Sequence, residues 1–207
     1  MNDLEQARRE VSQSSAGGAA FLLCFGATIL VVGIAAFSLD RKVAAMLLMF
    51  QGGVALPAAF LVERRLGWGP MARENPLNAL SIQLAMSQIV AFPVVIAMFD
   101  LHPGGVALAM ASIAGGHFLP YAWLQRTSVY VWLAAAVSGG ALVLQLALGA
   151  AAFPWILLFM SACYWIAAPL VYRAARRLTR VQVGSLTGSR RPAPLPSPAP
   201  HSRRPST

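Results

Sequence analysis

Six long apolar runs dominate this chain, at about residues 16–37, 43–62, 78–99, 105–124, 129–150 and 152–172, and none contains an Asp, Glu, Lys or Arg. Each supplies the roughly 20 apolar residues that a helix rising about 1.5 Å per residue needs to cross a ~30 Å hydrocarbon layer. A soluble bundle of such helices would have no polar face to turn toward water. The chain is 57% hydrophobic and 11% charged, whereas soluble domains average about 25% charged residues. The expected fold is therefore all-α, a polytopic membrane protein with six transmembrane helices.

Three regions follow. Residues 1–15 form a mixed-charge leader, expected on the cytoplasmic side. The first apolar run is longer than a usual signal-peptide core and no A-x-A cleavage pattern follows it, so it reads as a retained helix. Residues 16–172 make the six-helix transmembrane domain. Residues 173–207 carry eight arginines, no acid, and prolines at 192, 194, 196, 198, 200 and 205, a composition that cannot bury enough apolar surface to fold. This tail is expected to be disordered. Its juxtamembrane cluster, Arg173, Arg176, Arg177 and Arg180, would be attracted to anionic lipids of the bilayer by about 1 kcal/mol per charge. No aromatic interleaving or presenting fold accompanies it, so nucleic acid is not an expected partner. Cys24 and Cys163 both fall inside apolar runs and read as small packing residues.

Six spans put both termini on one side. That side collects 14 arginines, and the other holds only Arg41 and Lys42. The positive-inside rule places the N- and C-termini in the cytoplasm. Without the tail the balance is still six against two.

The second and fourth runs share a pattern. Gln51-Gly-Gly-Val-Ala-Leu-Pro-Ala-Ala-Phe-Leu61 lies over Ala114-Gly-Gly-His-Phe-Leu-Pro-Tyr-Ala-Trp-Leu124, with six of eleven positions identical. Pro169 and Tyr172 repeat the Pro-x-x-aromatic step. A tandem repeat of helical hairpins explains this: a proline about one turn before the cytoplasmic end of each helix, then an aromatic at headgroup depth. The glycine pairs would admit close backbone neighbours. Small residues at Ala107, Ala111 and Gly115 predict a close helix contact. Parallel repeats of this kind occur in transporters, though not only there.

Polar side chains inside the runs are few: Gln51, Gln83, Gln88, His117, Gln145 and several serines. Such groups are expensive in lipid and usually face the bundle interior. His117 lies about 10 Å from the inner end of its helix, with Tyr121 at i+4 on the same face. A neutral imidazole there can bind a polar ligand or carry a proton, or it can simply be satisfied by a glutamine across a helix interface. Gln83 and Gln88 lie about 140° apart around one helix, so each would hold a different neighbour. In Glu74-Asn-Pro-Leu77, Asn75 fits an N-cap, Pro76 the first helical position, and Glu74 the helix dipole. No metalloprotease, aspartyl-protease or nucleotide-loop motif is present, and His117 has no partner nucleophile. No cofactor, metal site or catalytic set is expected.

Glu74-Asn-Pro-Leu77, Gln88 and the block Gly116-His-Phe-Leu-Pro-Tyr-Ala-Trp-Leu124 resemble those of small bacterial multi-pass membrane proteins, the domain-of-unknown-function family numbered seventy-ten. The resemblance covers about residues 5–172. The chain departs from the family pattern at Phe118, where an aliphatic residue is expected, and in its long basic tail. The resemblance implies a bacterial inner-membrane topology and draws interest to Glu74, His117 and Tyr121, but it brings no activity.

The leading expectation is small-molecule binding or transport through a cytoplasm-facing polar pocket between the second, third and fourth helices. His117, Tyr121 and Gln88 would line it, with Glu74 at its rim. A non-catalytic membrane subunit or scaffold, in a homo-oligomer or with a membrane partner, is the alternative. A membrane-embedded enzyme comes third.

Overall fold

The computed structural model describes residues 3–66 and 74–188, with side chains described as far as Arg177. The proline-rich tail after Gly188 and the loop carrying Arg73 lie outside the described residues. The order is α1 (Asp3–Ser14), α2 (Ala19–Ala35), α3 (Arg41–Phe50), α4 (Gly52–Arg65), α5 (Leu77–Leu101), α6 (Val106–Leu124), α7 (Val129–Leu148) and α8 (Ala152–Gly188). No strand occurs among the described residues.

Five apolar helical stretches are long enough to cross a membrane, the last running from Val129 to Arg177. That stretch contains α7 and α8, separated by a turn at Gly149–Ala151 in which Gly149 takes a φ of +54°. The protein is thus an all-α, polytopic membrane protein.

Three boundaries differ from the sequence expectation. The leader is a helix, α1, because its Ala7, Val11 and Ser12 are buried on one side. The second span is broken at Gln51 into α3 and α4. Two glycines follow the break, Pro57 withholds a backbone donor one turn later, and the Gln51 side chain accepts a hydrogen bond from Thr28 of α2. Finally, α8 continues to Gly188, past the end of the sixth apolar run at residue 172.

Contact pairs give the topology. Phe21 meets Phe60 and Thr28 meets Gln51, so α2 and α4 are antiparallel. Tyr121 reaches back to the Ser81 carbonyl, pairing α5 with α6. Gly115 faces Ala134 and Ser138 of α7, and Gly140 faces Phe159 of α8. Gly33, Gly26 and Gly17 face Leu157, Trp165 and Val171 in turn, which lays α8 antiparallel along α2. The expected close contact on α6 is present: Ala107, Ala111 and Gly115 are all buried.

Polar stitches fix this core. Tyr130 donates to the Gly17 carbonyl at 2.6 Å, Ser161 to the Gly26 carbonyl at 2.8 Å and Trp165 to the Leu23 carbonyl at 3.2 Å. Within lipid, such side-chain to backbone bonds tie helices where hydrophobic burial gives little preference between lipid and protein. By contrast α4 packs mainly on α2, and α5 mainly on α6. The core therefore sits among α2, α6, α7 and α8, with α5 as an outlying helix.

Candidate functional site

The site grows from how α5 is held. Asn75 Oδ1 accepts the Leu77 backbone N–H at 2.9 Å, capping α5 as its sequence position suggests; helix α5 itself begins at Leu77, one residue after the expected start. The same amide donates to the Ala7 carbonyl at 3.1 Å and to Glu10 at 2.9 Å, which fastens α1 under the start of α5. On the other flank, Arg8 donates to the Trp123 carbonyl at the end of α6, with its guanidinium 4.4 Å above the Trp123 ring. Glu5 pairs with Arg126, and Ser12 donates to the Gln125 carbonyl at 3.3 Å. Ala7, Val11, Leu77 and Leu124 close the apolar part of the joint. The amphipathic leader thus bridges α5 and α6 at one end of the bundle.

Along the α5–α6 seam the fit is looser and more polar. The His117 and Tyr121 rings lie 4.9 Å apart. Tyr121 donates to the Ser81 carbonyl at 3.4 Å, the long limit of such a bond. The His117 ring interacts with the Leu84 backbone. Yet His117 Nδ1 and Ser81 Oγ are buried with no hydrogen-bond partner among the described residues. Buried polar groups almost always find partners, so the seam has capacity for a polar guest.

Beside it lies a groove of about 240 Å³ lined by Ser87, Gln88 and Ala91 of α5 and by Ser112, Ile113, Gly116, His117 and Pro120 of α6. Ser87, Ser112 and Gly116 are exposed, so the groove opens on the flank of the bundle rather than along its axis. His117 sits eleven residues into α6, about 16 Å at 1.5 Å per residue, which puts the groove at membrane depth.

Of the four residues singled out from the sequence, His117 and Gln88 line this groove. Tyr121 lies behind His117, packed against both apolar clusters. Glu74 is exposed at the foot of α5, outside the groove lining. The second span contributes nothing to that lining, so the pocket lies between the third and fourth spans alone. The two glutamines do not glue helices as expected: Gln83 is exposed, Gln88 half-buried, and neither makes an interhelical hydrogen bond among the described residues. Ser87 and Ser112 were missed, whereas Gly116 beside His117 is where the sequence leaves room for a ligand or a neighbouring helix. The spacing Ser112-x-x-x-Gly116-x-x-x-Pro120 was the available signal, since it puts three small or bend-forming residues on one helix face.

The class is now defined: a multi-pass α-helical membrane protein with a polar, laterally open groove between two helices. Residues 4–174 match the family of unknown function DUF7010, and the chain belongs to it. No curated protein and no solved structure is similar to the chain at a significant level.

Proposed function

We propose that the protein binds a small amphipathic molecule in the α5–α6 groove, entering from the surrounding lipid, either to hold it or to pass it across. The observation that carries this reading is the His117 side chain. Its Nδ1 is buried without a partner beside a groove that also holds Gln88, Ser87 and Ser112. Donors and acceptors at that depth suit the polar end of a guest, while Ile113 and Ala91 suit its apolar part. His117 and Gln88 would bind directly, Tyr121 would position the imidazole, and Glu74 would stand at the entrance to α5. The family resemblance and the strong arginine asymmetry support a bacterial inner membrane with both termini in the cytoplasm. The basic tail would then lie against anionic lipid.

The test is a thermal-shift screen of the detergent-purified protein against a library of amphipathic small molecules, with His117→Ala and Gln88→Leu as controls. At least one compound class should raise the wild-type melting temperature and leave both variants unmoved. A library that shifts nothing, or shifts all three proteins alike, removes the groove as a binding site. The subunit or scaffold reading draws on a different observation, the nearly unburied α5.

A further inference from the structure

Helix α5 is pinned at two points and lies loosely between them. Leu77 and Val95 are its only buried residues in 25 positions. Val95 belongs to the main core. Leu77 belongs to the small cluster it forms with Ala7 and Val11 of α1 and Leu124 of α6. The stretch between the two pins is about 27 Å long and includes the groove wall at Ser87, Gln88 and Ala91. One of the two pins is therefore supplied by α1.

The closed seam is costly by itself. It buries His117 Nδ1 and Ser81 Oγ without partners among the described residues, and the Tyr121 bond to the Ser81 carbonyl that crosses it is stretched to 3.4 Å. Groups left in this state favour an opened seam that water or a guest can reach. What holds the seam shut lies at its foot. Leu80 and Leu84 of α5 and Tyr121 of α6 pack against the cluster around Ala7 and Val11, so the apolar side of α1 continues directly into the seam. Asn75 ties α5 to α1, while Arg8, Ser12 and Glu5 tie α1 to the end of α6. The turn that follows α1 is fixed separately. Ala16, Gly17 and Gly18 take φ values of +46°, +70° and +80°, and Tyr130 holds the Gly17 carbonyl from α7. That turn anchors the start of α2 without help from α1.

We infer that α1 is a strap on the groove. Docked, it draws the foot of α5 onto α6 and shuts His117 Nδ1 and Ser81 Oγ inside the seam. Released, it frees α5 to swing about Val95, and both polar atoms open to the groove. The purpose of the strap, control of a guest's access to His117, rests on the binding role proposed for the groove; the movement itself does not.

Thiol labelling of the full chain in membrane vesicles tests it, with Cys24 and Cys163 first replaced by Ala. Ser81→Cys, about 6 Å from the start of α5, reports on the seam. Ser161→Cys, at a buried position of α8, reports on the main core. Val11→Asp places a charge in the buried joint and releases α1. With α1 docked, N-ethylmaleimide should react slowly at both cysteines. Val11→Asp should speed labelling at Ser81→Cys by about 10-fold or more, the effect of ~1.4 kcal/mol on an opening equilibrium, and leave Ser161→Cys slow. Arg8→Ala, which loosens only the α6 side of the strap, should act in the same direction by a smaller factor. If Val11→Asp speeds both cysteines alike, Arg8→Ala decides: a selective rise at Ser81→Cys keeps the strap, and no selective rise removes it. Unchanged labelling at Ser81→Cys in both variants overturns the inference. No ligand enters the assay, so a failed compound screen and a failed strap stay separate results.

Discussion

Asn75 and Ala7 are joined by a 3.1 Å hydrogen bond from the Asn75 amide to the Ala7 carbonyl, and the oxygen of the same amide caps α5. One buried side chain therefore both begins a transmembrane helix and fastens the N-terminal helix beneath it. Asn75→Ala removes the cap and leaves buried backbone groups unpaired. Losing an N-cap costs about 1 kcal/mol, and an orphaned buried group about 1–3 more. The variant should unfold earlier on heating in detergent, and limited proteolysis should cut within α1. Asn75→Asp keeps the capping oxygen but loses the donor and meets Glu10, so it should restore α5 and still release α1. Wild-type resistance to protease in either variant would show that α1 is held without the Asn75 bonds, by its contacts with the end of α6 and its apolar side.

Arg8 works on the opposite flank. Its guanidinium bonds the Trp123 carbonyl, stacks on the Trp123 ring and pairs with Glu5 at 2.9 Å. A lysine cannot make the forked, stacked arrangement of a planar guanidinium. Arg8→Lys should thus lose nearly as much stability as Arg8→Ala, on the order of 1 kcal/mol for the stacked cation with its hydrogen bonds. Equal stability of wild type and Arg8→Lys would reduce the contact to simple charge. Thermal melts of the three proteins side by side decide it.

How far the sequence revealed this architecture depends on the kind of force involved. Hydropathy marked each membrane crossing, because lipid forces about 20 apolar residues per helix whatever the neighbours are. Asn75 was readable as a cap because capping is local chemistry. The docking of α1 was not readable: Arg8, Ser12 and Glu5 meet Trp123, Gln125 and Arg126 across more than a hundred residues. Nothing in a mixed-charge leader names such partners. The break at Gln51 likewise depends on Thr28 from another helix. His117 and Gln88 were found because polarity inside an apolar run is conspicuous. Gly116 beside His117 was legible too, but Ser87 and Ser112 were hidden because small residues are common in membrane helices and only packing tells which of them face a groove. The glycine pair of the internal repeat illustrates the same limit. Gly115 is pressed against α7, whereas its counterpart Gly52 has only a Phe25 ring edge at 3.7 Å from its would-be Cβ.

That glycine pair gives a sharp contrast between neighbours. A Cβ at position 115 would lie 3.0 Å from the Ala134 carbonyl and collide with the Ser138 hydroxyl, while one at position 116 would meet nothing within 4 Å. Gly115→Ala should push α6 off α7 and cost about 1–3 kcal/mol, the usual range for overpacking. Gly116→Ala should be neutral or gain up to about 1 kcal/mol from better helix propensity. Melting temperatures of the two single variants should therefore move in opposite directions, or only the first should move. A drop at 116 as large as that at 115 would mean that Gly116 is as tightly covered as Gly115.

His117 offers the clearest separation of structure from function. Its Nδ1 has no partner among the described residues. The Leu84 carbonyl that faces the ring already accepts a bond from Ser87, so removing the imidazole orphans nothing there. A polar ring without full hydrogen bonding at membrane depth is a cost to the fold. His117→Leu keeps comparable bulk and relieves that cost. It should melt at the wild-type temperature or above, within about 0.5 kcal/mol if packing adjusts poorly, while losing the response to any compound that stabilises wild type. His117→Gln, which retains a donor and an acceptor, should recover part of that response. A His117→Leu protein that is destabilised by more than about 1 kcal/mol, with the loss restored by Gln, would instead make the imidazole a strut between α5 and α6. The groove would then be a packing defect with no guest to hold.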